Sequence, residues 1–154
     1  MAISLTNVVG SAQTGLTTPG YNVTADISPA QNAKQWAVTA LTGTQTGVGV
    51  HSVASPFTIA MFRPQNPQAL KPVNVLSGML AKVPMNTYKV ITRKGVLPLA
   101  GQSFKNMVIT TIIDVPAGSD TADATSVRAA MSAHIGALSQ QSSGVGDTLI
   151  NGML

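Results

Sequence analysis

The feature that most constrains this chain is a change of period. Through the first two-thirds, apolar residues recur at every second position; beyond Pro116 they recur at every third or fourth. Period two sends alternate side chains to opposite faces of a strand, whereas a period near 3.6 lines them along one side of a helix. Tyr21, Val23, Ala25 and Ile27 share one strand face, as do Trp36, Val38 and Ala40. Ile3 with Leu5 opens a short strand, and Val48 with Val50 suggests another. Residues 56–63 divide into Phe57, Ile59 and Met61 on one side and Thr58, Ala60 and Phe62 on the other. In residues 86–94, Tyr88, Val90 and Thr92 alternate with Lys89, Ile91 and Arg93. Residues 104–115 are rich in β-branched side chains, which suit a pleated surface. Turn chemistry separates these runs: Thr18-Pro19-Gly20, Ser28-Pro29, Thr42-Gly43, and residues 95–101 around Pro98. Residues 65–85, with Pro67, Pro72 and Pro84, read as a long connection holding one extended piece at Val73-Asn74-Val75.

After Pro116 the helical signals begin. Ser119 or Asp120 is placed to cap a helix, and Asp120 and Asp123 suit its positive end. Val127, Met131, Ile135 and Leu138 then form one apolar stripe, and His134 reads as lying off it. Residues 140–146 break the pattern, and Asp147 is expected to cap a short second helix. Strands followed by helices predict an α+β domain over residues 1–154, with 1–115 mainly strands and 116–154 two helices on one side of the sheet. An antiparallel sheet covered on one face leaves the other open. Tyr88, Val90, Met107 and Ile109 are expected toward the helices, which leaves Lys89, Arg93, Phe104 and Asn106 on the open face.

Charge narrows the function classes. Only 9% of the 154 residues are charged, against 44% hydrophobic, and Glu is absent. A soluble monomer usually relies on interspersed charges, so this poverty suggests a surface hidden against copies of itself. Between Asp26 and Asp114 lie eight cations and no acid: Lys34, Arg63, Lys71, Lys82, Lys89, Arg93, Lys94 and Lys105. A block of one sign is the footprint expected for a polyanion, and the pI near 9.8 agrees. A wide sheet face bearing cations, amides and an occasional ring can grip phosphates and stack unpaired bases.

Five strings carry a resemblance: SFKNMVIT (103–110), VPAGSDTADATSVRAAMSAHIGAL (115–138), GDTLINGML (146–154), NTYKVITRKG (86–95) and, more weakly, AMFRPQ (60–65). In that order they resemble the coat protein of single-stranded RNA bacteriophages, the levivirus type. The resemblance is strongest over residues 56–154, and the 65–85 connection is longer than in short members. It implies an N-terminal β-hairpin, a five-stranded antiparallel sheet and two C-terminal helices, in an interlocked dimer with a continuous ten-stranded sheet. It further implies a homodimer that closes into an icosahedral (T=3) capsid around single-stranded genomic RNA, assembled in the host cytoplasm and resident in the virion. In that family one dimer also binds an operator hairpin and represses replicase translation. By motif, Phe104 would stack a base and Asn106 would contact base or ribose; Lys89, Arg93 and, on the earlier strand, Arg63 would bind phosphate or base edges. The family's exposed polar positions on that earlier strand fall here on Ile59 and Met61.

Other classes find little support. Without Cys or Glu there is no thiolate, and paired-acid chemistry would need Asp alone. His51 and His134 are far apart and form no metal-ligand spacing, and 43–50 is Gly-rich without a P-loop Lys. No catalytic residue, metal or cofactor is expected, no uncharged apolar run is long enough for a membrane helix, and no signal peptide is readable. A dimeric RNA-binding regulator that forms no shell, and a structural subunit that packs without nucleic acid, are the competing readings.

Overall fold

A computed structural model describes residues 3–154. Six strands come first: β1 (Asn7–Val9), β2 (Gly20–Asp26), β3 (Ala33–Thr42), β4 (Phe57–Phe62), β5 (Met85–Val96) and β6 (Lys105–Pro116). Helices α1 (Ser119–Ala122), α2 (Ala124–Gln140) and α3 (Ser142–Asn151) follow. The strands lie side by side in chain order as one antiparallel sheet. The expected hairpin is present as β1 and β2. It is no separate unit, however, because β2 pairs along its length with β3, so the two hairpin strands and four others make one six-stranded sheet in place of a hairpin and a five-stranded sheet.

Local chemistry explains the turns. Gly43 holds φ at 77°, and a Cβ there would collide with the Thr18 carbonyl, so the end of β3 can pass the β1–β2 connection only as glycine. At Gly95 a Cβ would come within 2.7 Å of the Ser55 backbone, while its N–H donates to Pro56 O at 2.7 Å. The strand pair β4–β5 closes tightly there for that reason.

Val23, Trp36 and Val38 form the buried core, with Leu5, Val8, Tyr21, Leu41, Phe57 and Met61 packed on it. A bulge between Asn22 and Val23 pairs Val23 with Val38 but Asn22 with Ala40. One extra residue on β3 reverses the alternation, so Leu41 and not Ala40 joins the Trp36 face. Period two alone could not anticipate that. Val48 and Val50 make no strand, since residues 43–56 form a loop pinned by His51, whose N–H donates to Val38 O and whose Nδ1 accepts from Phe57 N–H. Nor do Ile3 and Leu5: pairing starts at Asn7, and Leu5 serves as packing. Val73-Asn74-Val75 leads into a turn instead of an extended piece.

The helices also differ from expectation. Ser119 and Asp120 begin a single turn, and the cap of the long helix is Asp123, whose carboxylate accepts the Ser126 N–H at 3.2 Å. Only Gln141 separates α2 from α3, so there are three helices and Asp147 lies inside the last. Its carboxylate accepts from Thr14 Oγ1 at 3.0 Å, and Ser11 and Ser139 hydroxyls meet at 2.8 Å. At 1.5 Å per residue α2 is about 25 Å long. It therefore bridges the sheet from the end of β6 to the loop after β1. Beneath the bridge lies a cleft of about 900 Å³, lined by Met61, Tyr88, Val90, Thr111 and Ile113 and, from α2, by Val127, Met131 and His134. His134 is thus in line with Val127, two turns on, and not off the stripe. No residue of α2 is buried.

Candidate nucleic-acid interface

The register decides which side chains share the open face. Lys89 stands between Phe62 and Ile112, and Arg93 between Thr58 and Val108. Asn106 is opposite Gly95, two positions along from Arg93. Directly opposed residues project to the same side of a sheet. Lys89, Arg93 and Asn106 therefore share one surface with Ile91, Thr110, Val108 and Ile112. Tyr88, Val90, Thr111 and Ile113 project to the other, where α2 lies. At about 3.3 Å per residue, Lys89 and Arg93 are roughly 13 Å apart along β5. On β6 the surface is bare: Val108 and Ile112 are 53% and 58% exposed.

Toward β3 the same face sinks. Ala37, Thr58 and Ala60 are small and buried, with Gln35, Ile91 and Arg93 as their register neighbours. The result is a shallow floor beside the cations. Ile59 and Met61, where the family pattern would have polar groups, face the α2 side: Met61 packs on the core and lines the cleft. Beyond the floor sits Asp26. Gln35 Nε2 at 2.8 Å and the Ile27 N–H at 2.7 Å donate to it and hold its carboxyl below the ordinary range. Asp26 is three strand spacings from β5, roughly 14 Å. Its charge bounds the cationic patch on the β2 side, and Asp114, opposite Thr87 on the same face, bounds it beyond Lys89.

The other expected residues are placed as follows. Phe104 precedes β6, is 39% exposed and takes no part in the core cluster, so its ring is available. Arg63 is not brought to the face. It lies one residue past β4, in the phase of Phe57, Ile59 and Met61, and Asn32 holds its backbone through two hydrogen bonds. The basic block is divided in the same way. Lys34 reaches the Ile3 carbonyl. Lys94 sits on the α2 side, donating to Gly49 O at 2.9 Å with its Nζ 4.8 Å from the centre of the Phe57 ring. Burial there lowers its pKa. Thr58 and Thr110 join the face although neither was singled out, because their membership depends on cross-strand register and not on the pattern of one strand. Among the described residues no cluster of three or more His, Asp or Glu could hold a metal, and no helix is long and apolar enough to cross a membrane.

Comparison with solved structures gives a decisive likeness. The virus-like particle of bacteriophage ESE020 has a chain 49% identical in sequence, aligned over 100% of both chains with a TM-score of 0.95. The chain belongs to that bacteriophage capsid-protein family. No protein-family model and no curated protein gives a match. For a phage capsid protein, the exposed apolar residues of α2 and the outer edge of β6, unpaired among the described residues, are candidate surfaces for self-assembly.

Proposed function

We propose that this capsid protein assembles as an interlocked homodimer, that dimers close into an icosahedral T=3 shell of the levivirus type, and that the Lys89–Arg93–Asn106 face lines its interior against single-stranded genomic RNA. The observation that carries the reading is the separation of faces by register: α2 stands over the Tyr88 side, and Arg93, Asn106 and Lys89, although Lys89 also lines the cleft, alternate to the other side. Dimerisation is supported by β6, a 12-residue strand with no neighbour on its outer edge among the described residues. Long unpaired edges of that kind recruit another strand. Two copies joined there give twelve strands, against the ten the family pattern implies, because each sheet consists of the hairpin β1–β2 and four further strands.

On this reading Lys89 and Arg93 hold phosphates, Phe104 stacks an unpaired base, and Asn106 contacts base or ribose. A hairpin bound there would be the operator through which replicase translation is repressed. The protein does no catalysis, is assembled in the bacterial cytoplasm and resides in the virion. Expression alone in bacteria, followed by electron microscopy and an absorbance spectrum, tests the whole: RNA-filled shells are expected. A stable dimer that never exceeds its own size on gel filtration would favour the regulator, and empty shells would remove the RNA role.

A further inference from the structure

The connection from β4 to β5, residues 63–84, contains Arg63, Lys71 and Lys82 but no acid. Its tip is a built turn. Asn74 N–H donates to Met79 O at 2.9 Å, and Gly78 N–H donates to Asn74 O at 2.7 Å. Asn74 Oδ1 accepts from the N–H groups of Leu76 and Ser77 at 2.8 and 3.3 Å. Gly78 takes φ 64°, a conformation that glycine adopts without cost. The base is fixed as well: Gln68 and Asn86 exchange two hydrogen bonds, and Leu70 packs over Gly118. What this hydrogen-bonded element presents to water is apolar. Val75 and Leu76 are 97% and 98% exposed, and Met79 is 71% exposed. Solvent loops are ordinarily polar, so an ordered apolar tip implies a partner.

A two-fold dimer is a closed contact and cannot propagate; a shell needs a second kind of interface. The dimer of the proposed function uses the β6 edge and α2, and this tip belongs to neither. The chain also exposes a matching surface at the other end of the same strands, where Val96, Leu97 and Leu99 of the β5–β6 connection lie uncovered. Moreover, the alignment with the particle-forming relative is complete, so the connection is part of what the two chains share. We propose that the Val75-Leu76-Met79 tip docks onto an apolar surface of a second copy in a neighbouring dimer and is the contact that joins dimers. The inference rests on the assembly reading.

The chain has no cysteine, which gives a direct probe. Leu76→Cys should react freely with a water-soluble maleimide in dissociated dimers and be protected in assembled particles. Equal reactivity in both states would overturn the inference. A V75S/L76S double variant should give folded dimers, by circular dichroism and gel filtration, with loss of particles in electron micrographs. Particles at wild-type yield would likewise overturn it. Failure of the unmodified protein to form particles would instead sink the assembly reading, and this contact with it.

Discussion

Lys89, Arg93 and Lys94 lie within six residues of one another, yet their environments differ in kind. Alternation sends the first two to the open face and the third beneath the β3–β4 loop, where it binds Gly49 O and faces the Phe57 ring. Arg93→Ala should therefore weaken RNA binding across sequences and flatten its dependence on salt, since fewer counterions are released. Lys94→Ala should leave that slope unchanged and cost stability, about 1–2 kcal/mol for a charged hydrogen bond and a cation–π contact partly offset by relief of burial. Filter binding over a salt series and urea unfolding separate the two; equal salt slopes for both variants would refute the face assignment. Asp26 gives the pH dependence. Its folded pKa is depressed by the Gln35 and Ile27 hydrogen bonds, so its contribution is complete above the ordinary carboxylate pKa and is lost as pH falls through the folded value. Asp26→Asn should be less stable than the parent near neutral pH and converge with it in acid; a constant gap in unfolding midpoints between pH 7 and pH 3 would count against this. The phase of Lys89 and Arg93 was legible because a strand's own alternation contains it. The same alternation, continued through residues 57–63, puts Arg63 in phase with Ile59 and Met61 and away from that face, against what the resemblance implied.

At the scale of elements, long strands and the long helix could be read directly, whereas short or interrupted elements could not. β5 and β6 have 12 residues each, enough for alternation to stand out, while β1 has three. The bulge in β3 is invisible in the pattern because it exists only relative to β2. Asp123 was passed over as a cap since Ser119 and Asp120 offered the same chemistry sooner; they start a single turn that Asp123 ends. For α2 the sequence showed a stripe but not its occupant. Ile135 on that stripe is 54% exposed. Substitution at a site so open should change the stability of an isolated chain by no more than about 0.5 kcal/mol. In a dimer where α2 packs on the partner's sheet, Ile135→Asp would instead forfeit the roughly 1.5–3 kcal/mol gained by burying such a side chain, and would desolvate a charge besides. The variant should thus elute as a monomer in light-scattering chromatography with its far-ultraviolet spectrum intact. Retention of the dimer would exclude α2 from the interface.

For the whole molecule, the order of strands and helices was evident because one change of period separates them. Composition pointed only to a surface hidden against copies of itself, and the capsid role entered with the resemblance; the fold supplies a physical basis for the hidden surface. A 154-residue chain would ordinarily bury a large core, yet here the core cluster has three buried members, of which only Val38 is fully buried, and both faces of β6 carry exposed apolar side chains, Ile109 on one and Val108 and Ile112 on the other. The cleft under α2 removes further packing from the isolated chain. On the proposed dimer, much of the driving force for folding comes from surfaces that a second copy covers, and folding and association become one equilibrium. The midpoint of urea unfolding should accordingly rise with protein concentration, because mass action favours the associated native state. Each tenfold increase adds about 1.4 kcal/mol to a folding transition coupled to dimer formation. Measurement over a hundredfold range of concentration, at ionic strength high enough to keep RNA and shells dissociated, decides the matter. A midpoint that does not move would mean that the single chain is stable by itself, and that its bare edge and helix stripe are tolerated rather than required.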